Sequence, residues 1–252
     1  MALETVSKVA TMTNQTYKRG QVEEALWAFY WLGRRPPREL APPPSLFSTR
    51  IKRLMDIDRS KTLRNQPDKA TSWSRHAFSE DKPGQPGKDI GYSAFDGFCL
   101  LVGLELLDIG LNQLEVVYLM RHVRNAFLSP FERTQSHIPL PSRQFWRAED
   151  KPDLPSFEKN GQSLADHRIF VLIRKIELTE AFERLPQRDK GQKLAPIFEE
   201  PEFSYGIEAL KTLLGDSMPV HFRKVLILEL SALADGMCRL LPATTPHSRG
   251  RQ

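Results

Sequence analysis

The chain has 252 residues, of which 40% are apolar, 27% charged and 9% aromatic, the composition of a globular protein able to bury one sizeable core or two modest ones. No apolar run is long enough to span a bilayer and the stretch MALETVSKVATMTNQ has no apolar leader region, so membrane insertion and secretion are not expected and a cytoplasmic location is. The net charge of +5 is unevenly spread: residues 1–90 hold 16 Lys/Arg against 10 Asp/Glu, residues 91–147 hold 5 against 5, and residues 148–252 hold 15 against 16. All the basic excess therefore lies in the first third, the part expected to meet any polyanion.

In chain order, residues 1–15 read as a tail. A first helix is expected from Gly20 to Gly33, where Val22, Ala25, Leu26, Phe29 and Tyr30 form one apolar stripe. The following RRPPRELAPPP, with five prolines in eleven residues, predicts an extended strut. Ser45 caps a second helix running to about Ile57. Its inner face carries Phe47, Ile51, Leu54 and Met55, its outer face Thr49, Lys52 and Arg53, with Arg50 on the flank. Residues 73–78 and 88–92 predict two strands of a hairpin whose nine-residue tip is SEDKPGQPG.

Two strongly marked helices follow. Ser93 with Asp96 opens the first and Gly110 closes it; Asn112 with Glu115 opens the second, which is expected to end at Phe127 before Ser129 and Pro130. The Pro-rich stretch 129–163 reads as a linker. Beyond it come a strand at 168–176, a helix at 205–214, a strand at 224–230 and a helix capped by Ser231 that ends near Leu241. A single helix over 220–241 fits the same periodicity. Residues 242–252 read as a tail.

Catalytic motifs are missing from the local sequence. Histidines 76, 122, 137, 167, 221 and 247 are scattered, with no metal-ligand spacing, and there is no nucleophile elbow, Walker loop or dinucleotide fingerprint. Cys99 and Cys238 lie far apart in apolar segments, so neither a disulfide framework nor a metal cluster is expected, and Cys99 reads as a small buried hydrophobe. The expectation is a chain that is not an enzyme and holds no metal or cofactor. Trp27, Trp31 and Trp73 read as packing residues. Trp146, between Arg143 and Arg147, reads as an anchor between parts of the chain or to a partner.

What remains is the order of elements over residues 16–128: two helices, a hairpin with a charged tip and two capped helices. This is the plan of a winged helix-turn-helix, which lays one helix in the DNA major groove and sets a wing tip against phosphates. Long cations on an exposed helix face and at the wing supply the affinity. Residues 45–75 carry eight Lys/Arg against Asp56, Asp58 and Asp68. The candidate contacts to double-stranded DNA are Thr49, Arg50, Lys52, Arg53, Arg59, Lys61, Arg64, Arg75, Lys82 and Lys88. A solvated, salt-bridged surface is the plainer reading of any one such stretch. Its coincidence with the expected wing favours the DNA reading.

The segment GYSAFDGFCLLVGLELLDIGLNQLEVVYLMRHV resembles the post-wing part of MerR-type transcriptional regulators through Tyr92, Ser93, Asp96, Gly110, Leu111 and Glu115. The resemblance covers residues 91–124 and extends to YKRGQVEEAL as a first helix. It implies DNA binding in transcriptional control. The proline strut, the long wing tip and the lack of a following coiled coil depart from the pattern, so that family's effectors, metal chemistry and promoter geometry are not implied.

The expected fold is thus mainly α with small β elements: an N-terminal winged helix-turn-helix at 16–128, the linker 129–163, and an α+β domain at 164–241 for oligomerisation or sensing, with a homodimer or an unidentified ligand or protein as its partner. The rival reading is an adaptor or assembly factor whose basic face meets an acidic protein, with the helices over 93–127 as its docking surface. A third is an enzyme with a dispersed site.

Overall fold

The computed structural model describes residues 15–32, 42–59, 76–80, 91–136, 158–159, 162–163, 168–176, 197–198, 201–216 and 225–244. These are mainly helical with a small antiparallel sheet. Helix α1 spans Arg19–Leu32, α2 Ser45–Arg59, α3 Ala94–Asp108 and α4 Gln113–Ser136. After them come the short strands β1 (Glu158–Lys159) and β2 (Gln162–Ser163), then β3 (Ile169–Ile176), β4 (Ile197–Phe198), β5 (Glu202–Tyr205), α5 (Ile207–Asp216), β6 (Val225–Glu229) and α6 (Leu230–Leu240).

The caps read from sequence form as expected. Ser93 Oγ accepts from the Asp96 backbone N–H at 3.1 Å while Asp96 Oδ2 accepts from the Ser93 N–H at 2.8 Å, satisfying two donors at the head of α3. At its other end Leu111 N–H reaches Leu106 O and Gly110 N–H reaches Leu107 O, a closure that needs the φ of +101° at Gly110. Asn112 and Glu115 exchange side-chain and backbone hydrogen bonds in the same way to start α4.

Helix α4 does not stop at Phe127. It continues through Pro130 to Ser136, because Phe131 on the added turns is buried against Phe95 and Phe98, with ring centroids 5.3 and 5.2 Å apart. Packing of that ring outweighs the backbone hydrogen bond that proline removes. The residues expected as a linker therefore begin inside a helix.

β3 lies at the centre of the sheet, paired antiparallel with β5 over residues 169–172 and with β6 over 170–174, and β4 pairs with its last two residues. Strand alternation sends Val171 and Ile173 into the main core, and Phe170 and Leu172 toward α5, where they meet Leu210. Residues 225–241 resolve into a strand followed by a helix rather than one helix. Ser231 is not the N-cap: that position is Glu229, and Ser231 Oγ instead accepts from Ile169 N–H at 3.2 Å, tying α6 to β3.

Helix α6 packs on α1, α3 and α4. Leu230, Leu233, Ala234, Met237 and Leu241 consequently share one core with Val22, Leu26, Phe98, Leu101 and Phe127, so residues from both sides of 129–163 fill the same interior.

The expected hairpin is not found in its described part. Residues 77–78 are bends and 76 carries no strand, while Tyr92 bridges antiparallel to Tyr17, with both backbone hydrogen bonds made at 2.8 and 2.9 Å. Among the described residues no winged helix-turn-helix is identified. Residues 73–75 of the first expected strand, 81–87 of the nine-residue tip and 88–90 of the second expected strand lie outside the described residues.

Candidate nucleic-acid interface

Helix α2 is the element on which the candidate contacts meet. Ile51, Leu54, Met55 and Asp58 recur at helical spacing and are buried, which turns Thr49, Lys52, Arg53 and Asp56 outward together as an exposed polar stripe. Neither Lys52 nor Arg53 makes an ion pair among the described residues.

Two further cations of the helix are engaged. Arg50 Nη1 lies 3.0 Å from Asp108 Oδ1 at the end of α3, with both side chains about half exposed. Arg59 is half-buried, and its Nη2 donates to the Tyr92 hydroxyl at 2.9 Å. It holds the end of α2 to the Tyr17–Tyr92 bridge and is engaged there rather than free on the outward stripe. The Tyr92 hydroxyl in turn donates to Met55 Sδ at 3.7 Å, and burial pushes its pKa up although Arg59 and Arg19 draw it down. Lys61, Arg64, Arg75, Lys82 and Lys88 lie outside the described residues.

What fixes α2 from behind was not read from sequence. Asp58 is buried and its carboxylate accepts from Arg121 Nε at 2.8 Å and from Ala77 N–H at 3.0 and 2.9 Å; Arg121 Nη2 also donates to the Asp58 carbonyl. One turn along α4, Arg124 Nη2 donates to Asp96 Oδ1 at 2.6 Å and Nη1 to the Ala77 carbonyl at 3.0 Å, while its guanidinium lies 4.9 Å from the Phe95 ring centre. Two buried ion pairs thus clamp residue 77 between α2, α3 and α4. The signal was present: Asp58 sits on the apolar stripe, seven residues after Ile51 and three after Met55, a place where an unpaired carboxylate would be very costly.

Cys99 is fully buried and its thiol is pushed up to about 12, chiefly by desolvation; Cys238 is pushed up to about 11 for the same reason, so neither is a ready thiolate at neutral pH. Among the described residues no group of three or more His, Cys, Asp or Glu is placed to hold a metal ion. No described helix is long and apolar enough to cross a membrane. No family model, no curated protein and no solved structure matches this chain.

Proposed function

We propose that this protein binds double-stranded DNA through the outward face of α2, as a regulator of transcription. The observation that carries the reading is the stripe of Thr49, Lys52 and Arg53 on a helix whose opposite face is locked by apolar packing and the Asp58–Arg121 pair. A rigidly seated helix presenting two cations and a hydroxyl, with the Asp56 carboxylate on the same stripe, can lie along a groove: Lys52 and Arg53 meet phosphates and Thr49 reaches a base edge or a thymine methyl. Residues 91–124 resemble the post-wing part of MerR-type regulators through Tyr92, Ser93, Asp96, Gly110, Leu111 and Glu115, which supports a role in transcriptional control. Two copies would engage two half-sites.

The test is binding of the full-length chain to duplex DNA across a salt series. Each phosphate contact contributes about 0.9 to the slope of log K against log salt, so Lys52→Ala with Arg53→Ala is expected to flatten it by about two units. Helical circular dichroism should stay unchanged, since both side chains are exposed. Absence of binding at low salt would overturn the proposal.

A further inference from the structure

We propose that Arg50 is a further DNA contact of α2 and that Asp108 holds it in reserve, as an internal counter-ion which a phosphate displaces. The inference rests on the DNA-binding reading and adds a regulatory contact to the same face. Arg50 lies about 60° round the helix from Arg53, at the edge of the outward stripe, so a guanidinium released there borders the same groove. Its partner is reached across 58 positions of sequence, and both side chains are about half exposed, 51% and 52%, so the pair stays open to competition from solvent.

Asp108 is poorly placed for its own helix. It is the last residue of α3, where the negative end of the helix dipole and the unpaired carbonyls disfavour a carboxylate. Glu105 lies one turn earlier; burial raises its pKa, a hydrogen bond with Tyr30 pulls it back, and the neighbouring Asp108 charge raises it again. What a carboxylate at 108 gains is Arg50. The same cation is better matched by a phosphate, whose oxygens take the guanidinium fork and whose neutralisation releases counterions. Exposed ion pairs are weak, shifting an equilibrium by no more than about fivefold, so DNA can break this one, yet forming it lowers affinity measurably.

The experiment uses the full-length protein and a short fluorescent duplex of random sequence, with anisotropy read across a salt series for wild type, Asp108→Asn, Arg50→Ala and the double variant. Asp108→Asn should tighten binding by about two- to fivefold, and the gain should vanish when Arg50 is already alanine. An equal gain in both backgrounds would mean that Asp108 merely repels DNA at long range, and would overturn the latch. So would no gain in either. These results leave the DNA reading standing as long as the wild type binds; failure of the wild type to bind the duplex at low salt removes both.

Discussion

Asp58 shows why one residue can matter more to this face than the cations on it. Its carboxylate is buried with Arg121 and also takes the Ala77 N–H, and Phe78 N–H at 3.3 Å. Asp58→Ala leaves the Arg121 charge without its carboxylate partner and strands two backbone donors, so a loss of about 3–5 kcal/mol is expected in urea unfolding. Lys52→Ala and Arg53→Ala, on the exposed side of the same helix, should stay within about 0.5 kcal/mol of wild type while weakening DNA binding. Equal destabilisation by all three would mean that the outward stripe is structural. Cys99 bears on pH instead. Burial raises its thiol from 9.0 to about 12, so above pH 9 the unfolded chain ionises there and the folded chain does not. The stability this group contributes is complete below pH 9 and is lost as pH climbs toward 12. Cys238, raised to about 11, acts in the same direction. Urea midpoints should therefore fall above pH 9, and fall less steeply in Cys99→Ala; parallel declines would exclude that thiol as a cause.

Helices pack here through close contacts at two glycines that have ordinary backbone angles. A Cβ at Gly236 of α6 would lie 2.5 Å from two ring atoms of Phe29 on α1, whereas one at Gly97 of α3 would meet the terminal methyl of Met237 at 2.8 Å. A ring wedged between helices gives way less readily than the end of a methionine, so Gly236→Ala is expected to cost about 1–3 kcal/mol and Gly97→Ala less. Thermal melts that rank them the other way would show that α1 can shift. The elements were legible in the sequence wherever a local signal decided them: the Ser93–Asp96 box, the Gly110 stop, the Asn112–Glu115 start and the β-branched run of β3 all act through neighbours in the chain. The failures were tertiary. Pro130 reads locally as a stop, but Phe131 has a place in the core; the run at 73–78 alternates like a strand, but Ala77 is fixed as a bend by Asp58 and Arg124. β5 has too few residues to show a period, and β3 organises it. At the candidate face the sequence identified the outward cations of α2 correctly by helical phase, yet counted Asp58 among surface charges because nothing local announces a partner 63 residues away.

At the scale of the whole molecule, the charge division and the packing division do not coincide. The basic excess stops near residue 90, which makes a free-standing N-terminal DNA-binding module look natural from composition. The core is organised otherwise: α6 lies against α1, α3 and α4, Ala234 and Met237 are buried among their side chains, and Gln21 Nε2 of α1 reaches Thr244 Oγ1 at 3.3 Å. Leu230, Leu233, Met237 and Leu241 each represent roughly 1.5–3 kcal/mol of burial, together comparable with the whole net stability of about 5–15 kcal/mol typical of a domain. A chain cut after Ser136 would keep every cation of α2 and lose the helix that closes the core over α3. It should therefore show a broad, non-cooperative melt, bind dyes that report exposed apolar surface, and bind DNA more weakly than the full-length protein, because the rigid seating of α2 depends on α4 and hence on what packs behind it. Adding a peptide of residues 225–244 in trans should restore part of the cooperativity. A fragment that melts as sharply as the intact chain would show instead that α6 is an accessory layer, and that the N-terminal segment folds as an independent unit after all.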